Sequence, residues 1–402
     1  MLNTKPYLND KQHIFIRVDA SHDIGHGHVM RCLTLAHGLS AHAEVTFICA
    51  DLPGNLMELI EHHGFKVVCL LVEQTAGGLN GSAAEERCVD STDGEFDETT
   101  YEQWLPWSQE EDSENTQACL LKLIERAGKQ PDWLIVDHYA LGKRWEQALQ
   151  GLVKKIMVID DLFDRSHICD LLLNQTPLPD ETALNGNQQG DFISLIGSQY
   201  VLLRSEFLSR RDQVIERRQE LTAVKNILLA PGGVDAKNFS LKILKLLELA
   251  ELDGQISVDV VLGKHAPYID VLQKYAFAQN RVIRIHSGVD TMSDFMWQAD
   301  LAIGAAGGTS WERCVLGLPT LLLIYAENQK PNADVLLQHE CVKLLAGIND
   351  MDDDRWINVI ADACTNLDWL KRASQNAFSL CDGRGLERVL VEMGFVDGGT
   401  DV

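Results

Sequence analysis

HIFIRVDASHDIGHGHVMRCLTLAHGLS, residues 13–40, decides the fold in a single run. Residues 13–19 form a mostly apolar stretch suited to a buried strand. Residues 20–28 are a short loop carrying Gly25 and Gly27. From Val29 to Ser40 the apolar residues Val29, Met30, Leu33, Ala36 and Leu39 fall near one face, the spacing an amphipathic helix requires. A strand, a glycine turn and a helix in that order open a βα unit.

The alternation continues outward from there. Further strands are expected at 44–50, 66–71, 133–137 and 155–160, with shorter ones at 171–174 and 192–196, and helices at 116–127 and 143–151. A highly charged, helix-favouring segment, SEFLSRRDQVIERRQEL, then occupies 205–221. The pattern restarts with strands at 226–230, 257–262, 282–285, 301–304 and 320–325. The reading is therefore α/β, with two Rossmann-like domains of parallel strands flanked by helices and facing across a cleft. The first domain is expected to span 1–204 and the second 221–402, joined by a linker helix at 205–220. The last helix, near 386–393, is expected to return to the first domain.

Composition narrows the function. The 402 residues suit two cores better than one. A net charge of −24 argues against a nucleic-acid partner, which needs a basic face. Much of it is local, because residues 81–116 hold twelve Asp/Glu and one Arg, contributing −11. That stretch is taken as an insertion or solvated loop, part of which packs through Trp104, Pro106 and Trp107. No apolar run nears the ~20 residues that span a bilayer, and no signal peptide is visible. The ten cysteines are scattered without a CxxC pair, which argues for thiols in a reducing compartment and against zinc. A cytoplasmic monomer with no metal, no cofactor and no membrane partner is expected.

The loop between the first strand and helix is the first candidate site. Gly25 and Gly27 let a ligand approach the backbone, and His28 stands where the helix begins. The positive end of the helix dipole disfavours an imidazolium there, so His28 is expected to accept a proton and activate water. A plain capping role for His28 is the alternative. His22 and His26 are read as loop or packing residues, and Asp19 as a residue that either orients His28 or caps a turn.

Residues 304–312, GAAGGTSWE, follow a strand and open a helix, which suits a diphosphate held on free N–H groups. Gly307 and Gly308 permit close approach, Thr309 and Ser310 add hydroxyls, and Glu312 can accept from both hydroxyls of a ribose. The lysine of a P-loop is absent, and the spacing is not GxGxxG. Gly232 and Gly233 make a second strand-end turn, either covering phosphates or turning the chain. Asn328 and Gln329 suit sugar hydroxyls or acetamido groups. Tyr139, in Asp137-His138-Tyr139, is the candidate for packing against a sugar, while His138 is equally suited to structure.

The motifs Arg17-Val18-Asp19, Ile24-Gly25-His26-Gly27-His28 and Arg31-Cys32 open a longer series. It continues with Asp137-His138-Tyr139, Asp160-Asp161, Cys169-Asp170, Asn174-Gln175 and Tyr200-Val201-Leu202-Leu203-Arg204. It ends with Gly232 to Asp235, Gly307 to Arg313, Glu327-Asn328-Gln329 and Asp382-Gly383-Arg384-Gly385. Together, and in this order, they resemble the UDP-2,4-diacetamido-2,4,6-trideoxy-β-L-altropyranose hydrolases of pseudaminic acid biosynthesis. His26 and Val18 depart from some relatives.

The resemblance implies a GT-B fold similar to that of the peptidoglycan UDP-GlcNAc transferase. It implies His28 as the water-activating base, with Arg17, Gly25, Gly27, Tyr139, Asn328 and Gln329 at the sugar. Gly232, Gly233, Gly307, Gly308, Thr309, Ser310 and Glu312 are then expected at UDP, with Glu312 on the ribose. UDP is a good leaving group, so inverting hydrolysis needs one base and not the carboxylate pair of ordinary glycosidases. The partner expected is thus a small-molecule UDP-sugar. A glycosyltransferase using the same cleft, and a non-catalytic UDP-sugar sensor, are the alternatives.

Overall fold

The structure, a computed structural model, describes residues 11–71, 98–162, 164–176, 192–250, 252–264, 266–350 and 352–397. The acidic residues 81–97 lie outside them. The chain divides into two compact units. In the first, seven strands follow in chain order: β1 (Gln12–Val18), β2 (Ala43–Ala50), β3 (Lys66–Leu70), β4 (Trp133–Asp137), β5 (Lys155–Ile159), β6 (Leu171–Asn174) and β7 (Ile193–Ile196). Their order across the sheet is β3-β2-β1-β4-β5-β6-β7. β1 pairs in parallel with β2 on one side and β4 on the other. Strands buried on both faces read as near-continuous apolar runs, which is why β1, β4 and β5 stand out in the sequence.

The second unit repeats the plan with six strands: β8 (Asn226–Ala230), β9 (Ser257–Leu262), β10 (Ile283–Ser287), β11 (Leu301–Ala305), β12 (Thr320–Leu323) and β13 (Val342–Ala346). They are ordered β10-β9-β8-β11-β12-β13. One apolar cluster, with Ile227, Val258, Ile303 and Trp356, lies on one face; another, with Leu228, Trp311 and Leu322, lies on the other. The parallel α/β reading of the sequence is borne out. The strand β13, in the stretch VKLLA interrupted by Lys343, is the one that periodicity did not reveal.

Three expectations need correction. The helix 205–220 is no linker: Ser205–Gln219 is built into the second unit, with Phe207 and Val214 in its core. Its arginines bind carbonyls at the ends of neighbouring helices, Arg211 reaching Val315, Phe378 and Cys381, and Arg218 reaching Met296 and Leu316. Second, the divide falls earlier than 204, since the second unit includes Ile196–Val389, while residues 390–397 belong with the first unit, where Phe395 lies near His42.

Third, the helix expected at 116–127 starts earlier, inside the acidic stretch, part of which packs as expected through Trp104 and Trp107. The end of that stretch forms the helix Gln109–Ala127, opened by a capping box in which Ser108 and Glu111 satisfy each other's backbone N–H groups. The charge run hid this start, because its polar first turn breaks the apolar period. Among the described residues no helix is long and apolar enough to cross a membrane.

Candidate functional site

Each sheet reverses its strand order once. The first does so between β1 and β4, the second between β8 and β11. Ligands of open parallel sheets bind outside the carboxyl ends of the strands at such a reversal. Most residues singled out by sequence collect at these two places, each within its own unit, while Asn328 and Gln329 follow β12, one strand beyond β11.

In the first unit the chain leaves β1 through a tight turn. Ser21 Oγ accepts from the N–H groups of Asp23 and Ile24, and Gly25 N–H returns to the Ser21 carbonyl at 2.9 Å. Gly25 has φ +80°, the left-handed region where a side chain is strained, so this glycine serves the turn itself. Gly27 is exposed and begins the helix Gly27–Leu39.

His28 lies in the first turn of that helix and is only 8% exposed. It makes no side-chain cap; the helix has none. Its Nδ1 lies instead 2.6 Å from Oδ1 of Asp137, the last residue of β4, which is beside Val18 in the sheet. Arg31, one turn on, donates from Nε to Asp137 Oδ2 at 2.6 Å and from its terminal nitrogen to Oδ1 at 2.7 Å. It also pairs with Asp161. Burial alone would raise the Asp137 carboxyl, but Arg31 and His28 together hold it well below the usual carboxylate range.

Aromatic rings surround the histidine. Tyr139 stands edge-on to it, centroids 4.6 Å apart, and donates its hydroxyl to Asp161 at 3.1 Å. Trp104 lies 6.0 Å from His28 and stacks on Tyr139. Tyr139 is buried and packs on the histidine, while Trp104 is half-buried.

Two sequence assignments change here. Arg17, expected at the sugar, has no exposed surface and lies between Asp19 and Asp112, 2.6 Å from each. Asp112 also accepts from the indoles of Trp107 and Trp145. Asp19 does not orient His28: one oxygen takes the Ala50 N–H at 2.7 Å and Arg17, and the other lies 3.4 Å from His138. His138 also accepts from the Ala140 N–H, which makes it structural. Asp137, Arg31 and Asp161 were missed as site residues. The signal was present, since residues 28, 31 and 32 are spaced i, i+3, i+4 and share one helix face.

In the second unit, Gly307 is half-exposed, and Gly308 and Thr309 are exposed at the start of the helix Thr309–Val315, after β11. Ser310 is not available as a hydroxyl donor to a ligand. It is buried, donating to the Ala305 carbonyl and accepting from Arg313. Arg313 lies beneath the loop, also bound to Ala305 and Thr309, and burial lowers it to about 10. Gly304 leaves room for it: a Cβ there would stand 2.8 Å from the guanidinium and 2.9 Å from the Ala230 carbonyl. Glu312 keeps 16% of its side chain exposed and accepts from Arg204 at 3.2 Å. Burial raises its carboxyl, and Arg204 opposes that.

Gly232 and Gly233 are exposed after β8, but the helix that follows is already capped. Both Asp235 oxygens accept from the N–H groups of Phe239 and Ser240, at 2.8 and 3.0 Å. Asn328 is exposed after β12, whereas Gln329 gives its oxygen to the Tyr325 N–H.

Two Rossmann-like units of parallel strands place the chain in the GT-B fold class. MurG of Acinetobacter baumannii is similar to it with a TM-score of 0.63 and 15% identity, over 96% of this chain and 100% of that one. No family model matches the chain. In sequence it is 26% identical over 332 residues to an uncharacterised protein of Methanocaldococcus jannaschii, covering 81% of this chain and 58% of that protein. The chain thus spans little more than half of that relative's length. It is also 24% identical over 323 residues to the UDP-2,4-diacetamido-2,4,6-trideoxy-beta-L-altropyranose hydrolase of Campylobacter jejuni, 80% of this chain and 94% of that protein. The resemblance drawn from the motifs is borne out as similarity over most of the chain.

Proposed function

We propose that the protein hydrolyses a UDP-sugar, namely UDP-2,4-diacetamido-2,4,6-trideoxy-β-L-altropyranose, by attack of water at the anomeric carbon. The observation that carries the proposal is His28, enclosed beside Asp137 at the strand-order reversal, in a chain similar to a hydrolase of that name. Water gives a proton to the imidazole as its oxygen bonds to the anomeric carbon. The bond from that carbon to the β-phosphate oxygen breaks, and UDP leaves with the electron pair, so the configuration inverts. In this reading the N–H groups at Gly307, Gly308 and Thr309 stabilise the diphosphate charge. Glu312 accepts from the ribose hydroxyls, and Asn328 contacts the sugar. The free sugar would enter pseudaminic acid synthesis in the cytoplasm.

Anomeric NMR of the products from a panel of UDP-diacetamido sugars tests substrate and inversion together. Rapid UDP release without an acceptor is expected, unchanged by EDTA. Release that appears only when an acceptor alcohol is added would replace hydrolysis by glycosyl transfer. His28→Ala is expected to lower turnover by about 10²–10⁴-fold, the usual contribution of a general base, with UDP affinity retained. Near-normal turnover in that variant would remove His28 from the chemistry.

A further inference from the structure

We propose that Asp137 is a positioning residue that sets the tautomer of His28, and that Arg31 is the clamp that holds Asp137 in that role. This rests on His28 being the base named above.

The donors around Asp137 settle the proton by elimination. Arg31 has N–H donors and no acceptor, and it donates to both carboxylate oxygens, at 2.6 and 2.7 Å. Cys32 Sγ lies a further 3.4 Å from Oδ2. Asp137 is fully buried and has no donor of its own as a carboxylate. Arg31 Nη2 also lies 3.4 Å from His28 Nδ1, but the carboxylate oxygen is far closer at 2.6 Å, where two lone pairs would repel. Nδ1 therefore carries the proton, and the lone pair of the neutral ring is left on Nε2.

Arg31 is itself held by Asp161, which also accepts from the Tyr139 hydroxyl. The Tyr139 ring meets His28 at an interplanar angle of 86° and restrains its tilt. An Arg31–Asp137 pair serving stability alone would be complete without the imidazole. Its third contact, at 2.6 Å, is the feature that such a pair does not require.

Asp137→Asn is the informative substitution. An amide offers one acceptor and one donor group, so it cannot satisfy both Arg31 and the Nδ1 proton of His28. With its nitrogen turned to His28, it would donate to Nδ1 and move the ring proton to Nε2. The experiment is ¹⁵N NMR of histidine-labelled protein, with the His28 signals identified by difference from His28→Gln. Turnover and UDP affinity are measured in parallel.

The wild type is expected as the Nδ1–H tautomer, and Asp137→Asn as the Nε2–H tautomer or a mixture. Turnover of the variant is expected to fall by about 10²–10⁴-fold through kcat, with the Kd for UDP within about twofold. An Nε2–H tautomer in the wild type overturns the proposal, even if the variant does not fold. So does an Asp137→Asn protein that keeps both tautomer and turnover. If the wild type releases UDP from no sugar, the hydrolase reading falls, while the spectra still decide the tautomer.

Discussion

At position 17 a guanidinium is closed off from water between two carboxylates, Asp19 and Asp112. Removing one partner of a buried ion network leaves the others uncompensated, at a cost of about 3–5 kcal/mol. Arg17→Met is therefore expected to lower the urea midpoint strongly while leaving the affinity for UDP unchanged. A stable variant with a raised KM would instead return Arg17 to the sugar. Thr309 and Ser310 make a second contrast at this scale. Losing one ligand hydrogen bond costs about 1 kcal/mol, so Thr309→Ala is expected to weaken UDP binding several-fold in titration calorimetry. Ser310→Ala, which removes internal partners of Ala305 and Arg313, is expected to act mainly on stability. The neighbours differ in exposure: Thr309 is exposed, its hydroxyl accepting from Arg313, whereas Ser310 is buried with its hydroxyl bonded to Ala305 and Arg313.

At the scale of elements, the helix Lys143–Leu149 is tied to the segment after β5 by His167. The imidazole lies 2.6 Å from Glu146 and 3.0 Å from Asp160. Burial would lower its pKa, but the bonds to Asp160 and Glu146 outweigh this and raise it to about 10. A raised pKa in the folded state means stability that is fully present below the unfolded value, near 6.5, and lost as pH rises through about 10. The melting temperature is therefore expected to fall over that window, and His167→Gln is expected to flatten the dependence. An unchanged slope in the variant would assign the fall to other groups.

The helix Gln109–Ala127 was only half legible for a related reason. Its apolar period from 116 onward shows in the sequence, whereas Asp112 reads as one more acid in an acidic run. Only the partners brought from β1 and from Trp145 make it a buried anchor.

At the scale of the whole molecule, the chain carries two parallel sheets, each with candidate residues at its own reversal of strand order. A ligand that binds one unit stabilises the native state by mass action, about 2.7 kcal/mol at a hundredfold excess over Kd. Saturating UDP is expected to slow amide exchange in peptides around β11 and the helix Thr309–Val315. Protection found only around β1 and β4 would move UDP to the first unit.

The described strands other than β13, and the glycine turns, were determined by the sequence itself, because burial on both faces and a strand-to-helix junction leave local patterns in residue type. His28 was legible for the same reason, standing at such a junction. Its partner was not. Asp137 is 109 positions away and meets His28 only because β4 pairs beside β1. Tertiary structure also decided that Arg17 is a brace, that Ser310 points inward and that Asp235 fills the helix start after Gly233. Arg17 is fixed by Asp112, 95 positions away, and no spacing along the chain carries that. Ser310 and Asp235 bind partners within five residues, but which polar group each turns to depends on the folded backbone of its loop.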